Sequence, residues 1–145
     1  MNEILKARLK LEEGSKKNAQ GRYIIYPDSL GIPTLGYGRN TTNGFSQDEV
    51  DLMLENDGDE AELQCNDRFP WLANLSPIRQ SVILDIVFNE GIERFLGFKK
   101  MIGFLEAGDF VNAKQELLYT DGKPTPYYQE VGHRAEDLAD LLVSG

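Results

Sequence analysis

The chain has 145 residues, 41% of them hydrophobic, and a formal net charge of −9 at pH 7. This length and hydrophobic fraction predict one folded domain with a buried core and exclude a disordered chain. The acidic balance excludes nucleic acid as the partner, because the sequence offers no basic stripe to neutralise phosphates.

The first predicted element is a helix over residues 2–13, which contain no helix breaker. Charges interrupt its apolar residues, so we expect neither a signal peptide nor a membrane span there. Leu5, Leu9 and Glu13 recur at the spacing that places side chains on one helix face, and Gly14 follows as a terminating glycine. A carboxyl group ending an apolar stripe is poorly solvated, which favours the protonated form that a general acid needs. Glu13 is therefore the candidate acid; the alternative is a frayed, exposed helix end.

A glycine-rich stretch follows, with three glycines in eight residues alternating with apolar side chains. Such alternation is typical of short strands with tight bends. Residues 27–31 predict a turn between strands over 23–26 and 33–37. Asp28 then lies at the turn and Thr34 on the returning strand, where both can face one cleft. The alternative is that Asp28 only caps its own turn.

The rest of the chain is predicted to be mostly helical. The predicted helices cover approximately residues 47–67, 77–90, 99–106, 109–119 and 132–143. Ser46 with Glu49 forms a capping box before the first of these, and Ser76 followed by Pro77 starts the second. Residues 120–126 contain two prolines, which favour an extended, stiff loop.

The helix over residues 47–67 is strongly acidic and has only a narrow apolar stripe. The stripe consists of Val50, Leu54, Ala61 and Leu63. A mostly solvated helix with a narrow apolar face is typical of a connector between lobes. Cys65, the single cysteine, excludes an intrachain disulfide and is expected to be a buried structural thiol.

The glycine-rich stretch, preceded by Glu13-Gly14, resembles the signature of glycoside hydrolase family 24, the bacteriophage-type lysozymes or endolysins. Every fixed position of that signature is present in Tyr26-x-Asp28-x-x-Gly31-x-Pro33-Thr34-x-Gly36-Tyr37-Gly38. The resemblance continues in Phe88-Asn89-Glu90-Gly91, Ala107-Gly108-Asp109 and His133-Arg134-Ala135-Glu136. It therefore spans most of the chain.

The resemblance implies an α+β, lysozyme-like fold formed by a single domain over residues 1–145. A small β-meander lobe would cover about residues 14–60. A larger, mainly helical lobe would combine about residues 1–13 and 61–145, with a helix joining the two lobes.

The resemblance also implies hydrolysis of the β-1,4 bond between N-acetylmuramic acid and N-acetylglucosamine in peptidoglycan, with inversion, for host lysis by a phage. Glu13 would protonate the leaving oxygen, while Asp28 and Thr34 position the attacking water. The residues implied to bind or orient the substrate are Arg134, Phe88, Asn89 and Asn40. Neither a metal nor a cofactor is expected, in keeping with a single cysteine and a single histidine.

Peptidoglycan is the expected partner, and we expect a monomer without nucleic acid or stable membrane association. The family implies synthesis in the host cytoplasm and action on the cell wall once the membrane is permeabilised, with a holin providing the release. One alternative is a lytic transglycosylase, against which the Asp28–Thr34 pair argues because that chemistry needs no positioned water. The other is a non-catalytic or virion-associated murein-binding module, against which the retained catalytic side chains argue.

Three departures from the family, the third of them at Arg39, concern affinity for the wall rather than chemistry. Extra residues lie around positions 15–20, and the net charge is acidic where many endolysins are basic. An acidic enzyme and an anionic wall predict repulsion that added salt relieves. The alternative is a local basic patch formed by Lys16, Lys17, Arg22 and Arg39, the last of which stands where many members have histidine.

Overall fold

The structure is a computed structural model that describes all 145 residues. It contains eight α-helices, a three-stranded antiparallel sheet and a separate two-stranded hairpin, which confirms the predicted α+β class. The helices are α1 Glu3–Glu12, α2 Gln47–Arg68, α3 Pro77–Glu90, α4 Ile92–Phe95, α5 Lys99–Glu106, α6 Phe110–Leu118, α7 Pro126–Val131 and α8 His133–Ser144. The strands are β1 Tyr26–Pro27, β2 Pro33–Leu35, β3 Arg39–Asn40, β4 Tyr119–Thr120 and β5 Lys123–Pro124. None of the helices has the length and apolar character required to cross a bilayer.

Two compact units make up the chain, Met1–Asp51 and Leu52–Gly145, and the division falls within α2. The lobe boundaries implied by the family resemblance, and the role of α2 as a connector, stay predictions.

The first unit contains α1 and the three-stranded sheet, in which β2 lies between β1 and β3. Thr34 is paired with Tyr26 on one side and with Asn40 on the other. The strands are shorter than predicted, because Tyr23 forms only an isolated bridge with Lys17 before the sheet begins. The bends after β2 leave little room for a longer second strand, and the chain returns at once as β3.

The second unit has an apolar core built from its helices. α3 contributes Val82, Ile83, Ile86 and Val87, all buried, as its apolar sequence predicts. Ser76 caps this helix by accepting a hydrogen bond from the backbone N–H of Arg79 at 3.2 Å. The predicted start of α3 is therefore confirmed.

Two expectations for the second unit are wrong. Within the predicted stripe of α2 only Ala61 is buried, and Cys65 takes the other buried place on that helix. Burial raises the pKa of the Cys65 thiol to about 11, which fits the inert structural thiol predicted.

The region over residues 120–126 is not an extended loop but the β4–β5 hairpin, closed by Asp121-Gly122, followed directly by α7.

The predicted capping box at the start of α2 is confirmed and is extended by an ion pair. The backbone N–H of Ser46 donates to the Glu49 carboxylate at 2.7 Å, and the N–H of Glu49 donates to the Ser46 hydroxyl at 3.4 Å. Two guanidinium nitrogens of Arg39 contact the same carboxylate at 2.6 and 2.9 Å. The backbone donor of Ser46 and then Arg39 lower the pKa of Glu49 to about 2.

Glu49→Gln should therefore lower Tm at pH 7 and leave it almost unchanged near pH 2. The pKa of Glu49 lies below its ordinary value of 4.5 in the folded chain, so its stabilisation is present above pH 4.5. That stabilisation disappears as the pH falls towards 2. Thermal unfolding of both proteins across this range measures the effect. Asp48→Asn, in the same helical turn, controls for loss of a carboxylate alone, and a pH-independent difference for Glu49→Gln would contradict the assignment.

Candidate active site

Glu13 ends α1, and its carboxyl group lies against Gly38 in the bend that joins β2 to β3. The backbone N–H of Glu13 donates to the carbonyl of Leu9 at 2.9 Å, so the helix end is not frayed. A β-carbon at Gly38 would lie only 2.8 Å from Oε2 of Glu13 and 3.2 Å from its Cδ. The expectation of a poorly solvated carboxyl group is wrong, because Glu13 is exposed and α1 buries none of its residues.

Tyr26 ties the chain after Glu13 to the sheet. Its hydroxyl donates to the carbonyl oxygen of Gly14 at 2.5 Å. Directly opposed residues of an antiparallel sheet project to the same face, so Tyr26, Thr34 and Asn40 share one face. The Tyr26 hydrogen bond identifies this face as the one next to Gly14. The predicted general acid and Thr34 therefore belong to the same side of the sheet.

Asp28 lies in the turn between β1 and β2, and only one of its carboxylate oxygens is used there. Oδ1 accepts hydrogen bonds from the backbone N–H groups of Leu30 at 2.8 Å and Ile32 at 2.9 Å. Oδ2 accepts no hydrogen bond from the protein. Asp28 thus caps its own turn, as the alternative interpretation held, and still presents one oxygen held at a fixed position. Turn capping and chemistry are compatible here.

Thr34 is almost fully buried, with 4% exposure, in the central strand of the sheet. Its hydroxyl donates to the carbonyl of Ile32 at 3.0 Å. The same carbonyl accepts the backbone N–H of Asp28 at 3.0 Å, and the N–H of Ile32 binds the Asp28 carboxylate. Asp28 and Thr34 are therefore held together by one residue, Ile32. Because the hydroxyl proton is committed, Thr34 has only its lone pairs left to offer a ligand.

Asn40, predicted to help bind substrate, lies beside Thr34 on the same sheet face. Its side-chain oxygen caps the short 3₁₀ turn that follows, accepting from the backbone N–H and the hydroxyl of Thr42 at 2.9 and 2.6 Å. Asn40 thus has a structural contact of its own, and its contact with substrate stays a prediction.

Arg134, Phe88 and Asn89 all lie in the second unit. The guanidinium of Arg134 donates to one carboxylate oxygen of Asp85, on α3, at 2.6 and 3.2 Å. Asn89 is exposed and its amide reaches the Glu90 carboxylate at 3.4 Å. Phe88 is half-exposed and lines a shallow cavity of about 300 Å³. The roles implied for these three residues stay predictions.

Two contacts of the site were not predicted from the sequence, although the residues that make them, Tyr26 and Gly38, lie in the glycine-rich signature. The Tyr26 hydrogen bond needs knowledge of where Gly14 lies, and the contact of Gly38 with Glu13 joins positions far apart in the chain. The family signature was the signal that the sequence offered, since it specifies the residue types at both Tyr26 and Gly38.

The model of the phage lysozyme family matches residues 17–129, which is well over half of the chain. The match includes Asp28 and Thr34 and begins after Glu13, so the assignment of Glu13 depends on the Glu-Gly pair and on the contacts described above. A search of curated proteins finds no match. The family match agrees with the resemblance found in the sequence and with the mixed helical and antiparallel architecture. The chain belongs to the phage lysozyme family.

Proposed function

We propose that this lysozyme hydrolyses the β-1,4 bond between N-acetylmuramic acid and N-acetylglucosamine in peptidoglycan, with inversion at the sugar. Family membership gives the coarser part of this statement, a lysozyme-like glycoside hydrolase that acts on peptidoglycan. The observation that carries the finer part is the Asp28–Ile32–Thr34 arrangement. It attaches the Asp28 carboxylate and the Thr34 hydroxyl to the two backbone groups of one residue, so that a free carboxylate oxygen and a hydroxyl lone pair can serve as two acceptors for one water molecule.

In the proposed reaction Glu13 gives its proton to the glycosidic oxygen as the bond from that oxygen to the anomeric carbon breaks. The water directs one hydrogen to Oδ2 of Asp28 and the other to the Thr34 hydroxyl. One of its lone pairs attacks the anomeric carbon, and Asp28 accepts the proton that is released. An inverting enzyme needs room for this water, with its carboxyl groups roughly 6.5–9.5 Å apart.

Because Glu13 is exposed in the free chain, the proposed scheme requires the bound substrate to cover it. In the free chain the Glu13 carboxyl group is exposed to water. We expect the bound glycan to cover Glu13 and displace that water, so that the environment a general acid needs forms only in the complex. The biological setting proposed is that of a phage endolysin made in the host cytoplasm. It would act as a monomer and reach the wall after a holin permeabilises the membrane.

Digestion of purified peptidoglycan in H₂¹⁸O tests the reaction. Hydrolysis puts one labelled oxygen on a new reducing end, whereas a transglycosylase yields an anhydro-sugar without that water. Proton NMR of the first product formed reports whether the anomeric configuration is inverted. An unlabelled anhydro product, or binding to peptidoglycan without any new ends, would refute the proposal.

Thr34→Val should reduce kcat by about tenfold while changing Tm little. The substitution keeps the shape but removes one hydrogen bond to the attacking water, worth about 1 kcal/mol or more in a charged transition state. Stability should hold because the Ile32 carbonyl keeps the backbone N–H of Asp28 as its donor. Thr41→Val is the matched control, since the Thr41 hydroxyl also donates to a β2 carbonyl, that of Pro33, at 2.9 Å. Equal activity in Thr34→Val and Thr41→Val would show that Thr34 serves only as a strand residue.

A further inference from the structure

The charge of this lysozyme is divided unevenly between its two units. Residues 1–51 contain seven lysines and arginines against seven aspartates and glutamates, so the first unit is neutral. The whole net charge of −9 therefore belongs to residues 52–145. The unit that carries Glu13, Asp28 and Thr34 therefore adds no net charge to the repulsion from an anionic wall that the overall charge predicts.

Three lysines of the first unit have no carboxylate partner. Other cations there are paired, with Lys6 near Glu3 and Arg39 bound to Glu49. Arg39 thus does not belong to a basic patch, in contrast to the sequence-based alternative. Lys10, Lys16 and Lys17 form no ion pair, and the ammonium group of each lies over a tyrosine ring instead.

The tyrosines hold these lysines in one region next to the site. Lys17 lies 4.4 Å from the ring centroid of Tyr23, and Lys10 lies 5.7 Å from that of Tyr37. The two tyrosine hydroxyls are 2.7 Å apart and hydrogen-bonded, with the rings edge to face. Lys16 lies 5.4 Å from the ring of Tyr26, whose hydroxyl binds Gly14. We call Lys10, Lys16 and Lys17, with these rings, the lysine–tyrosine surface.

The segment that presents two of these lysines is ordered by its own backbone bonds. The N–H of Ile24 donates to the carbonyl of Lys16 at 3.0 Å, and the N–H of Asn18 donates to the carbonyl of Arg22 at 2.9 Å. The extra residues around positions 15–20 thus form a turn that carries Lys16 and Lys17. A lysine already held over a ring loses less side-chain entropy when it binds an anion.

We propose that the lysine–tyrosine surface binds the carboxylates of the peptidoglycan stem peptides and so delivers the glycan to Glu13. This inference rests on the proposed function, since it takes peptidoglycan as the substrate. Unpaired ammonium groups fit carboxylates by charge, and Tyr37 lies in the chain directly before Gly38, the residue against the Glu13 carboxyl group. The surface thereby gives a role to the extra residues that the catalytic scheme leaves without one.

Binding to purified sacculi, stripped of wall phosphate polymers, tests the inference in a chain that carries Glu13→Gln to prevent turnover. Adding Lys16→Gln and Lys17→Gln should weaken binding about fivefold at low salt, and the loss should shrink as salt is added. Lys99→Gln with Lys123→Gln is the matched control: both are exposed, unpaired lysines of the second unit, and the charge change is the same. Lys16→Arg with Lys17→Arg keeps both charges and should restore most of the binding.

Amidation of the stem-peptide carboxylates identifies the ligand. It should weaken binding of the chain with both lysines and have little effect on the Lys16→Gln, Lys17→Gln chain. Equal binding by the two double-glutamine variants, or an equal response of both chains to amidation, would overturn the inference. Lysine-dependent binding seen only with wall phosphate polymers would overturn it as well. Cleavage by the wild-type enzyme, measured separately, shows whether the proposed function holds independently of this surface.

Discussion

Glu13→Gln is expected to reduce peptidoglycan hydrolysis by at least about two orders of magnitude, the usual contribution of a positioned general acid. The amide keeps the size and polarity of the side chain but has no proton to donate to the leaving oxygen. Tm should not change, because Glu13 is exposed and its hydrogen bond to the helix comes from its backbone. Release of new reducing ends from purified peptidoglycan measures the loss.

Glu12→Gln is the matched control for this prediction. Glu12 is the neighbouring carboxylate, and it lies 3.3 Å from Arg8 in an exposed ion pair that contributes little to stability. Its loss should leave activity near the wild-type level. Full activity in Glu13→Gln combined with inactivity in Glu12→Gln would transfer the acid role to Glu12.

Gly38→Ala is expected to reduce kcat by at least about tenfold, since small misplacements of a catalytic group cost this much or more. The new β-carbon would lie 2.8 Å from Oε2 of Glu13, closer than the two atoms can remain. Because the Glu13 side chain is flexible and exposed, the carboxyl group should move away rather than the fold yield. In a Glu13→Gln background the same substitution should therefore cause little further loss of activity.

Gly36→Ala separates this contact from backbone strain. Both glycines have positive φ, +59° at Gly36 and +83° at Gly38, so alanine is strained at either position. A β-carbon at Gly36, however, has no atom within 4 Å. We expect similar losses of Tm in the two variants and a loss of activity confined to Gly38→Ala. If Gly38→Ala does not fold, Gly36→Asn and Gly38→Asn repeat the comparison, since asparagine tolerates positive φ better than alanine does. Equal kcat within either pair would exclude a positioning role for Gly38.

Local signals predicted much of this fold because the residues that cap an element act within one turn of it. Ser46 with Glu49, and Ser76 before Pro77, mark the starts of α2 and α3 as expected. The prolines of residues 120–126 favour an extended loop, but Asp121-Gly122 closes the β4–β5 hairpin there. An Asp-Gly pair is a strong hairpin signal, and a short edge strand tolerates proline.

Longer-range packing decided what could not be predicted. Which face of α2 is buried depends on the packing of the second unit around Ala61 and Cys65, and the apolar spacing of α2 marks Ala61 but not Cys65. The signature identified Glu13, Asp28 and Thr34 as candidates, but local pattern alone assigned the wrong solvation to Glu13. Its place in the site depends on Gly38 and on the Tyr26–Gly14 hydrogen bond, contacts that only the folded chain brings about.

The shared attachment of Asp28 and Thr34 to Ile32 has a consequence for engineering. The N–H of Ile32 holds the Asp28 carboxylate, and its carbonyl holds the Thr34 hydroxyl. The separation of the two groups is therefore set within seven consecutive residues and not by the surrounding protein. Residues 28–34 thus behave as a cassette that carries its own geometry. Transplanted between the matching strands of another lysozyme, the segment should bring the Asp28–Thr34 pair intact, whereas a proline at position 32 would remove the N–H that fixes the carboxylate.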